Sequence, residues 1–65
     1  MKFGSALNAV LGGNSVARNA WGAGVYITVD AMDPTHIDIT NAGVTTDWTA
    51  TSADLLADDW EIVNV

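Results

Sequence analysis

Val25-Tyr26-Ile27-Thr28-Val29-Asp30 carries the clearest two-residue period in the chain. Val25, Ile27 and Val29 share one face and Tyr26, Thr28 and Asp30 the other, the pattern of a strand buried on one side. Such a strand needs an apolar layer against its buried face, and the start of the chain supplies one. Phe3, Ala6, Leu7, Val10 and Leu11 recur at helical spacing, with Lys2, Ser5 and Asn8 between them. Gly12-Gly13 then ends the predicted helix with a left-handed cap. A helix this short is marginal alone in water, so its apolar stripe must dock on a sheet.

The remaining segments build that sheet. Ser15 to Arg18 reads as a short strand, and Gly22-Ala23-Gly24 turns the chain into Val25 to Asp30. Ala31-Met32-Asp33-Pro34 is a connection, because Pro34 bars a central strand there. His36 to Thr40 alternates again, with Ile37 and Ile39 opposite His36, Asp38 and Thr40. Asn41-Ala42-Gly43 reads as a three-residue hairpin loop, and Val44 to Thr49 as the returning strand carrying Trp48. Thr51 and Asp54 have capping-box spacing, with aspartate in place of the usual Glu or Gln, and open a second helix. Asp58 and Asp59 are unfavourable at its far end, so it spans at most about two turns. Trp60 to Val65 closes the chain as a strand with Trp60 and Ile62 on one face. The expected fold is one α+β domain over residues 1–65: a leading helix packed on a short-stranded antiparallel sheet, with a brief second helix before the last strand.

The composition sharpens this. The 65 residues include eight acidic and two basic side chains, a formal charge of −6, and no cysteine. Without disulfides or thiolate metal sites, a core this small rarely nets more than ~3–5 kcal/mol. Yet 49% of the residues are hydrophobic and three are tryptophans, more apolar material than one small sphere can hide. A homo-oligomer is therefore expected. Two cations cannot displace many counterions from a phosphate backbone, which excludes polymeric nucleic acid and disfavours anionic membranes. No apolar run approaches the ~20 residues of a membrane span. Met1-Lys2, the apolar stretch to Gly13 and Ser15-Val16-Ala17 mimic a short secretory signal, but Asn8 and the weakness of the run argue against it.

Catalytic patterns are missing from the sequence. One histidine and dispersed carboxylates give no metal-ligand spacing, so no metal or cofactor is expected, and His36 reads as a solvent-facing strand residue. Ser5, Ser15 and Ser52 lack a nucleophile-elbow context. Gly22-Ala23-Gly24 lacks the third glycine of a dinucleotide fingerprint and precedes a strand, so it reads as a turn. Binding features remain. Thr51 and Ser52 place hydroxyls at a helix start, where they either cap the helix or meet an anion. Trp60 reads as a core or interface anchor. Trp21 and Trp48 stand beside small or hydroxylated residues, where an indole is either an interface filler or a stacking surface for a nucleobase. Arg18, the one cation within the folded body, can pair with a carboxylate such as Asp38 or Asp59, or clamp a phosphate.

The series Phe3-Gly4-x-Ala6-Leu7, Val16-Ala17-Arg18-x-x-Trp21 and His36-Ile37-Asp38 is completed by Trp48-x-Ala50-x-Ser52-x-Asp54-Leu55-Leu56-Ala57-x-Asp59-Trp60-Glu61-Ile62-Val63. Together these blocks resemble the second Thoeris anti-defence family of small phage and prophage proteins. The resemblance implies a homotetrameric sponge that binds cyclic ADP-ribose isomers made by bacterial TIR-domain sensors without cleaving them, in the cytoplasm of an infected host. Some members also take up cyclic dinucleotides at a separate pocket. The chain departs from the family pattern after the arginine block, where Trp21-Gly22-Ala23-Gly24 replaces Trp-Asn-Gly-Lys-Gly. It also has a shorter segment between the central strands, Asp30 to Thr35, and Ala50-Thr51-Ser52-Ala53 where the family has Ala-Ser-Gln.

Joined to the residue reading, the resemblance assigns stacking to Trp21 and Trp48 and a phosphate clamp to Arg18. Thr51 and Ser52 supply hydroxyl and backbone donors, and Asp54 accepts from a ribose hydroxyl, in pockets that combine two chains. A ligand of about 35 heavy atoms at ~0.3 kcal/mol per atom reaches ~10 kcal/mol, or tens of nanomolar. The competing readings are a phage interaction protein that binds a host protein through its tryptophans, and a cyclic-nucleotide hydrolase. The first leaves Arg18 and the hydroxyls without a role, and the second lacks a base or metal site.

Overall fold

The computed structural model describes residues 1–30, 32–33 and 35–63. The chain runs α1 (Phe3–Leu11), β1 (Ser15–Arg18), β2 (Val25–Val29), β3 (Ile37–Asn41), β4 (Val44–Asp47), α2 (Ser52–Leu56) and β5 (Trp60–Val63). The α+β architecture is the one the alternation and the helical period require. Asn64 and Val65, expected in the last strand, and Ala31 and Pro34 of the connection lie outside the described residues.

α1 ends through two nested backbone bonds: Gly13 N–H donates to the Val10 carbonyl and Asn14 N–H to that of Ala9, each at 3.0 Å. This closure requires a left-handed residue, and Gly13 supplies it at φ +96°. Gly12, at φ −80°, does not take that conformation, so the cap lies one residue further on than the start of the glycine pair.

The strands form one antiparallel sheet in the order β4-β3-β2-β1-β5. The last strand therefore returns to pair with the first, Arg18 opposite Trp60 and Val16 opposite Ile62. Trp60 and Ile62 share a face as expected, but Trp60 is buried whereas Ile62, on the edge strand, is more than half exposed.

α1 covers one sheet face. Ala6 and Val10 of the helix meet Val16, Ile27 and Trp60, and all five are buried. Complete burial of a side chain such as Val10 or Ile27 contributes about 1.5–3 kcal/mol, so these few residues carry much of the core. The other face carries Ala17, Tyr26, Thr28, Asp38, Thr40, Thr45, Asp47 and Glu61, in register across the strands. Leu11, Val44, Leu55, Leu56 and Ile62 remain exposed.

Two elements differ from the sequence reading. The β3–β4 loop holds two residues, Ala42 (φ 52°) and Gly43 (φ 84°), and Asn41 pairs with Val44 inside the ladder. Consecutive left-handed residues match the right-handed strand twist, which a two-residue connection favours over the expected Asn41-Ala42-Gly43 loop. β3 begins at Ile37, the partner of Val29 at the end of β2, and not at His36. β4 ends at Asp47, so Trp48 lies just beyond it, although its N–H still donates to the Ile37 carbonyl at 3.1 Å.

Candidate functional site

Arg18 closes β1 on the helix-bearing face, opposite Trp60. Its guanidinium joins two acids from the end of the chain: Nε donates to Asp59 Oδ1 at 2.9 Å and Nη1 to Asp54 Oδ1 at 3.1 Å. Asp59 is one of the carboxylates expected to compete for this cation, whereas Asp38 lies on the opposite sheet face and pairs elsewhere. Asp59 also accepts the Ala20 N–H through Oδ2. The bonds it donates to Asp59, then to Asp54, hold the guanidinium pKa above its ordinary value.

Asp54 is buried at the start of α2. Burial opposes its ionisation, but the Thr51 N–H and hydroxyl interactions and the Arg18 guanidinium together hold its carboxyl below the usual range. The capping box forms as the spacing predicts: Asp54 N–H donates to Thr51 Oγ1 and Thr51 N–H to Asp54 Oδ2, both at 3.2 Å. Aspartate thus serves where Glu or Gln is usual. The Asp54 carbonyl in turn accepts the Trp60 indole N–H at 2.9 Å. Arg18, Thr51, Asp54, Asp59 and Trp60 consequently form one polar network that ties β1, α2 and β5 together.

The aromatics surround the same strand end. Trp60 sits 5.1 Å from Trp21 and 6.0 Å from Trp48, both edge to face, and 5.4 Å from Phe3 between ring centroids. Trp21 and Trp48 are themselves 6.5 Å apart, again edge to face. These are favourable geometries for aromatic pairs. Trp60 is enclosed, while Trp21 and Trp48 are half-buried and keep part of each indole at the surface. Trp21 is linked to Arg18 as well, its backbone N–H donating to the Arg18 carbonyl at 3.0 Å. Five of the six residues singled out from the sequence therefore gather at one end of the domain. Ser52 is exposed at the first position of α2, and its side chain makes no hydrogen bond among the described residues.

A groove of about 370 Å³ lies beside this cluster, lined by Arg18, Asn19, the Gly22-Ala23-Gly24 turn, Tyr26 and Glu61 among others. Its volume falls within the ~300–1,000 Å³ of small-molecule sites. Arg18 belongs to both the cluster and the groove, but Trp21, Trp48, Thr51, Ser52 and Asp54 do not line it. The sequence reading did not select Asn19, Tyr26 or Glu61. Tyr26 was the findable one, because the strand alternation already puts it on the face away from the core.

A second polar cluster occupies the other end of the sheet. His36 Nε2 lies 2.8 Å from Asp47 Oδ1 and 3.3 Å from Asp38 Oδ1. Its bond to Asp47, then the fields of Asp47, Asp38 and Asp30, raise the imidazole pKa against the opposing effect of burial.

The profile of the Thoeris anti-defense 2-like domain matches residues 1–63. The chain belongs to this family. The Thoeris anti-defense match spans both ends of the chain, including the Val16-Ala17-Arg18 block and the Asp54 to Trp60 block that the Arg18 network joins in space. Membership makes the chain an anti-defence domain directed against Thoeris rather than a member of a known enzyme family. No curated protein matches the chain. Among the described residues, no helix of this anti-defense domain is long and apolar enough to cross a membrane.

Proposed function

We propose that the protein blocks Thoeris defence by binding and sequestering cyclic ADP-ribose-derived signals without cleaving them, with cyclic dinucleotides as a second ligand class. Family membership supports the anti-Thoeris role. The observation that carries the ligand class is the junction at Arg18, whose carbonyl holds the Trp21 backbone N–H, Trp21 and Trp48 being half-buried indoles 6.5 Å apart, and whose side of β1 also walls a groove of small-molecule size. An adenine needs a π face and a pyrophosphate needs charge-assisted donors, and these are the groups collected there.

A single chain divides them. The indoles pack around Trp60, and the groove runs along the other side of β1. We infer that a second copy completes each pocket within a homotetramer, for which the exposed Leu55, Leu56 and Ile62 supply apolar contact. The turn that lacks the family's asparagine and lysine is the turn that walls the groove, so the ligand range of this member is expected to be narrower toward highly charged ligands.

Thermal melting with a panel of cyclic ADP-ribose isomers and cyclic dinucleotides tests the reading. A raised Tm with at least one cyclic ADP-ribose isomer is expected. Identical melting with and without every nucleotide would overturn it.

A further inference from the structure

Asp38 and Asp47 face each other directly across the β3–β4 ladder. Like charges in that position are destabilising, and the chain already carries a net charge of −6. The opposition is relieved where His36 brings Nε2 to 2.8 Å from Asp47 Oδ1 and 3.3 Å from Asp38 Oδ1. His36 immediately precedes β3, two residues before Asp38, and Asp47 is the cross-strand neighbour of Asp38. One imidazole nitrogen and one oxygen from each carboxylate thus converge, all within 4.8 Å of one another.

We propose that His36, Asp38 and Asp47 form a divalent transition-metal site on the outer face of the β3–β4 hairpin. At metal–ligand distances of ~2.0–2.2 Å, neighbouring ligand atoms in a tetrahedral shell stand about 3.3–3.6 Å apart. The His36 separations of 2.8 and 3.3 Å, with all three atoms within 4.8 Å, are brought to that spacing by side-chain rotation, for which the exposed Asp47 has room. One imidazole with two carboxylates suits zinc or manganese better than calcium, which takes six to eight oxygens. Two of the ligands sit on paired strands, so the backbone register holds them in place without a flexible loop. Asp38 is mostly buried and Asp47 is exposed, which anchors the ion on one side and leaves it an entry path on the other. Three protein ligands leave a fourth position for water or an incoming oxygen donor. The site lies on the sheet face opposite Arg18 and stands independently of the function proposed above.

The chain has one histidine, which makes the test direct. Metal-free protein is titrated with zinc chloride in a non-coordinating buffer while the imidazole ¹⁵N resonances and the binding heat are followed. One ion per chain with a shift at Nε2 is expected. Loss of an outer-shell partner alone weakens metal sites about 10–100-fold, so Asp47→Asn and Asp38→Asn should each weaken binding at least about tenfold. Asp47 is largely exposed, so Asp47→Asn leaves the fold intact, as its amide spectrum will show. An unmoved Nε2 resonance in millimolar zinc, or affinity unchanged in both variants, would overturn the proposal.

Discussion

Arg18 and Asp54 lie 36 residues apart in sequence and 3.1 Å apart in space, from Nη1 to Oδ1. This contact joins the Val16-Ala17-Arg18 block to the Asp54-to-Trp60 block and makes Arg18 a structural residue as well as a candidate ligand contact. Replacing Asp54 with Asn removes the charge-assisted bond and the acid partner of the capping box together. A loss of about 1.5–3 kcal/mol is expected from urea denaturation. A midpoint equal to that of the wild type would show that the contact contributes nothing to stability.

The same carboxylates set the acid response. Asp54 and Asp59 both have folded-state pKa values below their ordinary range, Asp59 chiefly through its bond from Arg18. A group depressed in this way contributes stability above its unfolded pKa, about 3.9, and that contribution is lost as pH falls through the folded value. Tm should therefore drop below about pH 4, with a shallower drop in Asp54→Asn. Parallel acid profiles for the two proteins would contradict the linkage.

The α2 cap gives a smaller and cleaner effect. Thr51→Ala removes the hydroxyl that accepts the Asp54 N–H and should cost about 0.5–2 kcal/mol, whereas Thr51→Ser should restore most of it. Denaturant midpoints of the three proteins check this ordering.

The β3–β4 turn allows a gain. Ala42 occupies φ 52°, a region that disfavours alanine, and it is followed by Gly43. Ala42→Asn creates the Asn-Gly pair preferred in such two-residue turns and should raise stability by up to about 1 kcal/mol. A lowered Tm would mean that the turn conformation has been misassigned.

Most of the fold was readable from the sequence because its signals are local. The helical spacing of Phe3 to Leu11, the alternation of Val25 to Val29 and the Thr51/Asp54 spacing each name an element without reference to the rest of the chain. The pairing of β5 with β1 was not readable, since nothing local in Trp60 to Val63 states its partner. The His36 cluster was hidden by one residue of register. A three-residue loop would set Asp38 opposite Thr46, whereas the two-residue loop sets it opposite Asp47 and brings both acids to the histidine. At the Arg18 end, the sequence selected residues that do gather, but not their division between aromatic cluster and groove. That division depends on which side of β1 each neighbour packs.

Sequestration without turnover is tested most directly by what the protein releases. The purified protein is loaded with a cyclic ADP-ribose isomer, freed of unbound ligand, heat-denatured, and the supernatant analysed by mass and chromatography. Recovery of the intact cyclic molecule, in proportion to protein, is the expected result. Linear or hydrolysed products, or no recovered nucleotide, would contradict the proposed function.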